Sequence, residues 1–161
     1  MPKSFGPSPE VVLEALRRRS GLSIDDEGRF CVDGERISHA RTLEVLWGSL
    51  ARRPDGLYEV HVGRESAVVE VPFAPYAVRG LVPGPVGLDV LLSDGSREPL
   101  RPETLRVGRD GVLRCTVRGE EPARFTRDAQ VALGLRLEED RGAPGGYRLL
   151  LGGRAWPVGA E

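Results

Sequence analysis

The chain has 161 residues, with 23 basic and 24 acidic side chains and a formal charge of −1 when both histidines are neutral. With 40% apolar and 29% charged residues it reads as a globular chain, enough for one compact domain or two small halves sharing a core, and not as a disordered polyelectrolyte. A balance so near zero gives no sustained field for a polyanion, so no nucleic-acid partner is expected.

Lys3 is the only lysine, so the other 22 cationic side chains are arginine. Together with 21 Gly and 13 Pro, this reads first as the residue usage of a GC-rich genome. It also supplies forked donors suited to carboxylates and phosphates. Cys31 and Cys115 are too few for a disulfide scaffold and form no CxxC pair, so buried free thiols are expected. Met1 to Glu10 carries three prolines and no apolar run of secretory length, and aliphatic runs such as Leu149-Leu150-Leu151 are short. A cytoplasmic chain without a membrane span is the expectation.

The first element in chain order is a helix from Ser8-Pro9-Glu10 to about Arg19. Ser8 caps it, Pro9 takes the first helical position and Glu10 meets the positive end of the dipole. Phe5, Val12, Leu13 and Leu16 give it an apolar stripe, Arg17 to Arg19 suit its negative end, and Gly21 is placed to stop it. Four Asp-Gly pairs follow, at Asp33, Asp55, Asp94 and Asp110, each between apolar stretches, and they predict a body rich in β-hairpins. Arg29 to Val32 turns at Asp33-Gly34 into Glu35 to Ile37. Ser38 then opens a helix whose Leu43, Leu46, Trp47 and Leu50 share one face. Pro54-Asp55-Gly56 ends it.

Leu57 to Val62 alternates as a half-buried strand, with Glu59 and His61 paired on its outer face. Gly63 to Ser66 turns it back into Ala67 to Val71, and another extended stretch runs from Tyr76 to Leu81. Gly80 to Gly87, with two prolines and three glycines, reads as a linker between halves. Beyond it come a strand at Val86 to Leu92, a turn at Ser93 to Ser96 and a hairpin from Leu105 to Val117. A helix from Thr126 to about Glu138 follows, then strands at Tyr147 to Leu151 and Ala155 to Val158. Val131, Leu133, Leu135 and Leu137 also alternate as a strand would, so that helix stands against a strand reading.

The halves also match each other. Cys31 with Cys115 gives an offset of 84, Arg41 with Arg127 and Val45 with Val131 give 86, and Tyr58 with Tyr147 gives 89. Arg64 with Arg154 gives 90. Rising offsets fit a diverged duplication of hairpin, helix, hairpin. The expected organisation is therefore an N-terminal helical segment over 1–23, a first repeat over 24–82 and a second over 83–161, packed as one α+β unit.

Several of these stretches carry a family resemblance. Ile24-Asp25-Asp26-Glu27-Gly28-Arg29-Phe30, Gly34, Ile37, the Leu43 to Trp47 helix, Asp55-Gly56-Leu57-Tyr58 and Val69-Glu70-Val71-Pro72-Phe73 resemble the bacterial family called domain of unknown function 1285. So do Pro102 to Val107 and Gly152 to Val158. The resemblance implies an α+β fold with repeated motifs, loosely comparable to pleckstrin-homology barrels, and a role in signal transduction. The family tends to place an arginine soon after the isoleucine of the first hairpin; here His39 and Arg41 lie nearest that place.

Chemical motifs are sparse. Asp25-Asp26-Glu27 could ligate calcium, but calcium loops space their oxygens along a longer segment, so a solvated turn is the stronger reading. His39 is expected exposed in the first turn of its helix, and His61 has no third ligand in reach. No GxSxG is present, neither cysteine has an activating neighbour, and neither Gly84-Pro85-Val86-Gly87 nor Gly152-Gly153-Arg154 has the setting of a phosphate loop. No cofactor and no metal are expected. Arg41, Arg127, Arg64 and Arg154, with His39, remain as candidate contacts to a protein or a small acidic ligand. A non-enzymatic binding or regulatory module is the first reading. An enzyme whose site joins residues distant in sequence is the alternative.

Overall fold

The computed structural model describes residues 6–161, and it divides into two compact units, one ending at Phe73 and the other spanning Ala74–Glu161. Phe5, expected on the first helix stripe, lies outside the described residues.

The first unit begins with α1 (Pro9–Arg18). Ser8 Oγ accepts a hydrogen bond from Val11 N–H, as its cap position requires. The residue that turns the helix off is Arg19, left-handed at φ 57°, rather than Gly21. Its N–H and that of Ser20 return to the Leu16 and Ala15 carbonyls, which is a Schellman-type ending. Gly21 also has a positive φ, and a Cβ there would collide with the Asp33 and Arg18 side chains, which themselves form an ion pair at 2.6 Å.

A three-stranded meander follows: β1 (Leu22–Ile24), β2 (Phe30–Val32) and β3 (Glu35–Arg36). Asp33 and Gly34, at φ 49° and 83°, form the two-residue turn between β2 and β3. Then comes α2 (Ala40–Ser49), which leads directly into β4 (Ala51–Arg52), β5 (Tyr58–Val62) and β6 (Glu65–Val69), a second meander. Ser38 does not cap α2. His39 does, its Nδ1 accepting the Thr42 N–H at 3.2 Å. Nor does Pro54-Asp55-Gly56 end the helix; α2 stops earlier at an extended Leu50, and those residues form the β4–β5 loop. The two meanders meet where Ile24 N–H donates to Glu70 O and Glu70 N–H to Leu22 O. Leu16, Leu22, Ile24, Phe30, Leu46 and Val60 fill the core beneath them. Trp47 is half-buried and meets the Phe30 ring edge-on, centroids 4.6 Å apart.

The second unit begins with β7 (Tyr76–Gly84), β8 (Gly87–Leu92) and β9 (Arg97–Pro99). Gly80 to Gly87 is therefore no linker but the middle of a hairpin, turned at Pro85-Val86. Its glycines are there for space. A Cβ on Gly80 would press on Leu91, and one on Gly84 would fall on the Asp89 carboxylate, which is buried and paired with Arg97 at 2.7 Å. Pro83 is tolerated because the next strand on that side, β12, pairs with β7 only over Tyr76–Val78.

After a short 3-10 turn at Pro102–Thr104 come β10 (Arg106–Val107), β11 (Leu113–Val117) and β12 (Glu121–Phe125). They are followed by α3 (Arg127–Gly134), β13 (Leu137–Glu139), β14 (Tyr147–Leu151), β15 (Arg154–Pro157) and β16 (Gly159–Ala160). Seven strands join in the order β16-β10-β11-β12-β7-β8-β9, with β16–β10 and β12–β7 parallel; β13, β14 and β15 form a separate meander. Thr126 Oγ1 caps α3 by accepting from Ala129 N–H. The helix ends at Gly134 rather than near Glu138, and Leu137 to Glu139 is strand. Of the alternating apolar residues, Val131 and Leu133 lie in α3, Leu135 at its end and only Leu137 in a strand; Leu133 is buried while Val131 and Leu135 are exposed on either side of it. The fold class is α+β, as the sequence predicted.

Three of the four Asp-Gly pairs use one loop design, distinct from the Asp33 turn. In the five-residue loops 53–57, 92–96 and 108–112 the first N–H donates to the last carbonyl, and the glycine N–H returns to the first carbonyl. The aspartate Oδ1 accepts the N–H two residues on, from Leu57, Ser96 and Val112. Loop 25–29 repeats the backbone pattern with Glu27-Gly28 in place of Asp-Gly.

Candidate functional site

The acidic triplet is part of that last loop. Asp25 Oδ1 accepts the Glu27 and Arg29 N–H groups, Oδ2 pairs with Arg29 Nε at 3.0 Å, and Glu27 pairs with Arg29 at 3.3 Å. Its carboxylates close a turn and hold one arginine. Among the described residues no three His, Cys, Asp or Glu side chains group as metal ligands. His61 Nε2 meets Glu59 Oε1 at 3.0 Å on the outer face of β5, as the strand alternation predicted.

Both cysteines are buried and free. Burial pushes the Cys31 thiol up, and pushes that of Cys115 up to about 12. Tyr76, also buried, is raised for the same cause. Each of these shifts moves a group away from acid–base or nucleophilic work at neutral pH.

The arginines singled out by the repeat fall in different places. Arg41 is the second residue of α2, whereas Arg127 is the first residue of α3. One residue on a helix is about 100° of rotation, so the two guanidiniums leave their helices in different directions. Arg64 is the second residue of the β5–β6 turn, but Arg154 follows the Gly152-Gly153 turn as the first residue of β15. Its guanidinium lies 4.0 Å over the Trp156 ring. Arg41 and Arg64 belong to the first unit, Arg127 and Arg154 to the second.

Two candidates do come together. His39 and Arg41 stand at the rim of a cleft of about 290 Å³ between α1 and α2. Its walls are apolar: Val12, Leu13 and Leu16 from α1, Val45 and Leu46 from α2, and Val62 from the end of β5. α1 presents this wall because its apolar stripe is wider than the core below it, so Leu13 is left only half-buried. On the α2 side Val45 is 41% exposed, large for a valine beside a core. The imidazole accepts from Thr42 N–H through Nδ1, so the proton on the neutral ring is carried by Nε2. The Arg41 guanidinium is exposed and has no ion-pair partner among the described residues. The cleft thus offers an apolar bed with His39 and Arg41 among the residues that line it.

His39 and Arg41 were singled out in the sequence, but the apolar walls beside them were not. Val12, Leu13, Leu16 and Leu46 were legible only as core. Their second role depends on two helices, far apart along the chain, leaving a gap.

A second cleft, of about 390 Å³, lies beside α3 and is lined by Val107, Leu113, Gln130, Val131, Leu137 and Tyr147, with Gly111 and Gly134. No charged residue lines it. The Gln130 amide is spent on the neighbouring loop, accepting from Leu113 N–H and donating to Gly111 O.

Fold and cleft together define a small α+β protein of antiparallel meanders, each followed or flanked by a short amphipathic helix. That fold is the one found in proteins of the domain of unknown function 1285 family. A solved structure from Silicibacter pomeroyi DSS-3 matches with a TM-score of 0.66 at 17% identity, over 97% of this chain and 89% of that one. Another, from Shewanella baltica OS155, matches with a TM-score of 0.57 at 16% identity, over 71% of this chain and 91% of that one. Both are described as DUF1285 family proteins. A scan against family models gives no match, and nor does a comparison with curated proteins. No helix among the described residues is long and apolar enough to cross a membrane.

Proposed function

We propose that this chain is a binding module of the DUF1285 type, and that its α1–α2 cleft takes a small ligand with an aliphatic body and a carboxylate head. The carrying observation is the open apolar cleft with Arg41 unpaired at its rim. A guanidinium fork meets a carboxylate with two parallel hydrogen bonds, while the walls cover the aliphatic part. His39 lends Nε2–H as a further donor on the same rim. The volume lies at the low end for small-molecule sites, which favours a short chain over a large planar ligand. A use of this binding in signal transduction belongs to the same reading, and the upward shifts of Cys31, Cys115 and Tyr76 favour a module over an enzyme.

An internal duplication is part of the proposal too. β1-β2-β3-α2-β4-β5-β6 and β10-β11-β12-α3-β13-β14-β15 have the same element order, and Tyr58 and Tyr147 open equivalent strands. The loose comparison with pleckstrin-homology barrels rests on this plan of strands with one helix.

Octanoate is the probe, with octanol as the uncharged control, followed by methyl NMR shifts at Val12, Val45, Leu46 and Val62. Octanoate is expected to move these methyls saturably, octanol to bind more weakly, and Arg41→Glu to weaken octanoate about tenfold, the size of one charge-assisted hydrogen bond. Equal binding of acid and alcohol, or no saturable shift in the cleft, would reject the reading.

A further inference from the structure

The cleft beside α3 differs in chemistry from the one between α1 and α2, and it is larger, at about 390 Å³ against about 290 Å³. Ala129 and Leu133 are the buried residues of α3, so Gln130, Val131 and Gly134 on the neighbouring flank are left to form one wall. Val107 and the buried Leu113 come from the β10–β11 pair, and Leu137 and Tyr147 from the β13–β14 pair. Val131 is 64% exposed and Tyr147 42%, so large apolar surface stands open on two sides of the space.

The walls are tied to one another. Gln130 Oε1 accepts the Leu113 N–H at 2.9 Å and its Nε2 donates to Gly111 O at 3.1 Å, which fixes the 108–112 loop against α3. On the other side Leu137 pairs with Leu149, and Glu139 with Tyr147. The space is thus built into the fold, as small-molecule sites commonly are. Charge decides what fits it. No charged side chain lines the cleft, so an ion entering it loses water and finds no counter-charge. The C-terminus of α3 borders the cleft at Gly134, and the carbonyls of the last turn carry the negative end of the helix dipole. Of those carbonyls only Leu133 O accepts a backbone N–H among the described residues, from Arg136. This end of the cleft disfavours an anion and accepts a hydrogen bond.

We propose that the α3 cleft binds an uncharged aromatic molecule bearing one N–H or O–H donor. Its ring packs against the Tyr147 ring and the Val131 and Leu137 side chains, and its donor meets a carbonyl of the last turn of α3. The two clefts then sort ligands by charge, the first taking an acid and the second a neutral molecule. The α3 site does not depend on the α1–α2 cleft.

Indole is the probe, beside 1-methylindole, which lacks the donor, and indole-2-carboxylate, which carries a charge; each is followed through the methyl resonances of the intact chain. Indole is expected to shift the Val107, Val131 and Leu137 methyls saturably and to leave those of Val12 and Val45 in the other cleft unmoved. 1-Methylindole should bind about three- to tenfold more weakly, the size of one hydrogen bond, and indole-2-carboxylate about tenfold more weakly or worse. Gly134 is the last residue of α3, its φ is not positive, and a Cβ on it meets nothing within 4 Å. Gly134→Leu therefore fills space beside the cleft without disturbing the core; the indole shifts should vanish while the thermal midpoint holds or rises. Val131→Gln, at an exposed position, should weaken indole about threefold. The proposal is overturned if indole gives no saturable shift at the three methyls, if either analogue binds as tightly as indole, or if both variants bind indole as the natural chain does.

Discussion

Cys115 sits in the middle of β11, fully buried, and burial above all pushes its thiol from 9.0 up to about 12. An acid whose pKa is raised by folding lends stability that is complete below its unfolded value and is lost as pH rises toward the folded one. Unfolding is therefore expected to grow easier between about pH 9 and 12, with Cys115 adding up to one proton to a slope that Cys31 and Tyr76 share, so that Cys115→Val reduces it. Denaturant melts across that range check it, and a natural chain with no alkaline slope would contradict it. A thiol reagent at neutral pH should likewise label Cys115 only after unfolding. Burial of both cysteines was legible from their apolar neighbours. The caps were legible unevenly. Ser8 and Thr126 cap as their residue types predict, whereas His39 displaces Ser38 because its Nδ1, as a ring acceptor one residue nearer the helix, reaches the Thr42 N–H. Arg19 takes the left-handed position that residue preference gives to Gly21, since two backbone hydrogen bonds to the last turn of α1 offset the strain of a Cβ there.

Gly48 is a helix-interior glycine that the rest of α2 does not need. It is exposed, its φ is not positive, and a Cβ built on it meets nothing within 4 Å. Gly48→Ala should accordingly stabilise the chain by about 0.5–1 kcal/mol, because alanine loses less backbone freedom in a helix. A thermal melt with an unchanged or lower midpoint would show that α2 needs the glycine after all. Gly84 is the counter-case, since the space a Cβ would take is filled by Asp89. The difference between these two glycines could not be read from the sequence, where Gly80 to Gly87 looked like loosely composed linker. What a glycine is for depends on the strand beside it, and Leu91 and Asp89 reach Gly80 and Gly84 only once β7 and β8 have paired. Helix ends suffered the same way. α3 stops at Gly134 because Leu137 to Glu139 hydrogen-bonds to β14, a pairing with residues about ten positions further on. Elements defined by local chemistry, such as the turns at Asp33 and Asp94 and the strand Tyr147–Leu151, were legible nearly to the residue, whereas Asp55-Gly56 was read as a helix end.

Across the whole chain, each unit closes its own sheets and its own core. In the first, Leu46 on α2 is buried among Leu16, Ile24, Phe30 and Val60. In the second, Leu133 on α3 is fully buried, and α3 lies against β7 and β12. Counted from the caps His39 and Thr126, the two leucines hold the same helical position, seven residues in. The arginine pairing drawn from raw sequence offsets is one residue out of step with this. The proposed duplication is therefore better tested on buried positions such as these than on surface residues of a type as common here as arginine. Truncating a buried leucine leaves a cavity and costs about 2–5 kcal/mol. Leu133→Ala should spend that loss on the cooperative unit that contains it. Amide hydrogen exchange is then expected to lose protection through β7, β8, β11, β12 and β14, while protection in β2, β5 and α2 stays as it was. Leu46→Ala should give the converse map. If either substitution lowers protection evenly from β1 to β15, the two cores melt as one, and the division at Phe73–Ala74 is one of geometry without a matching division in stability.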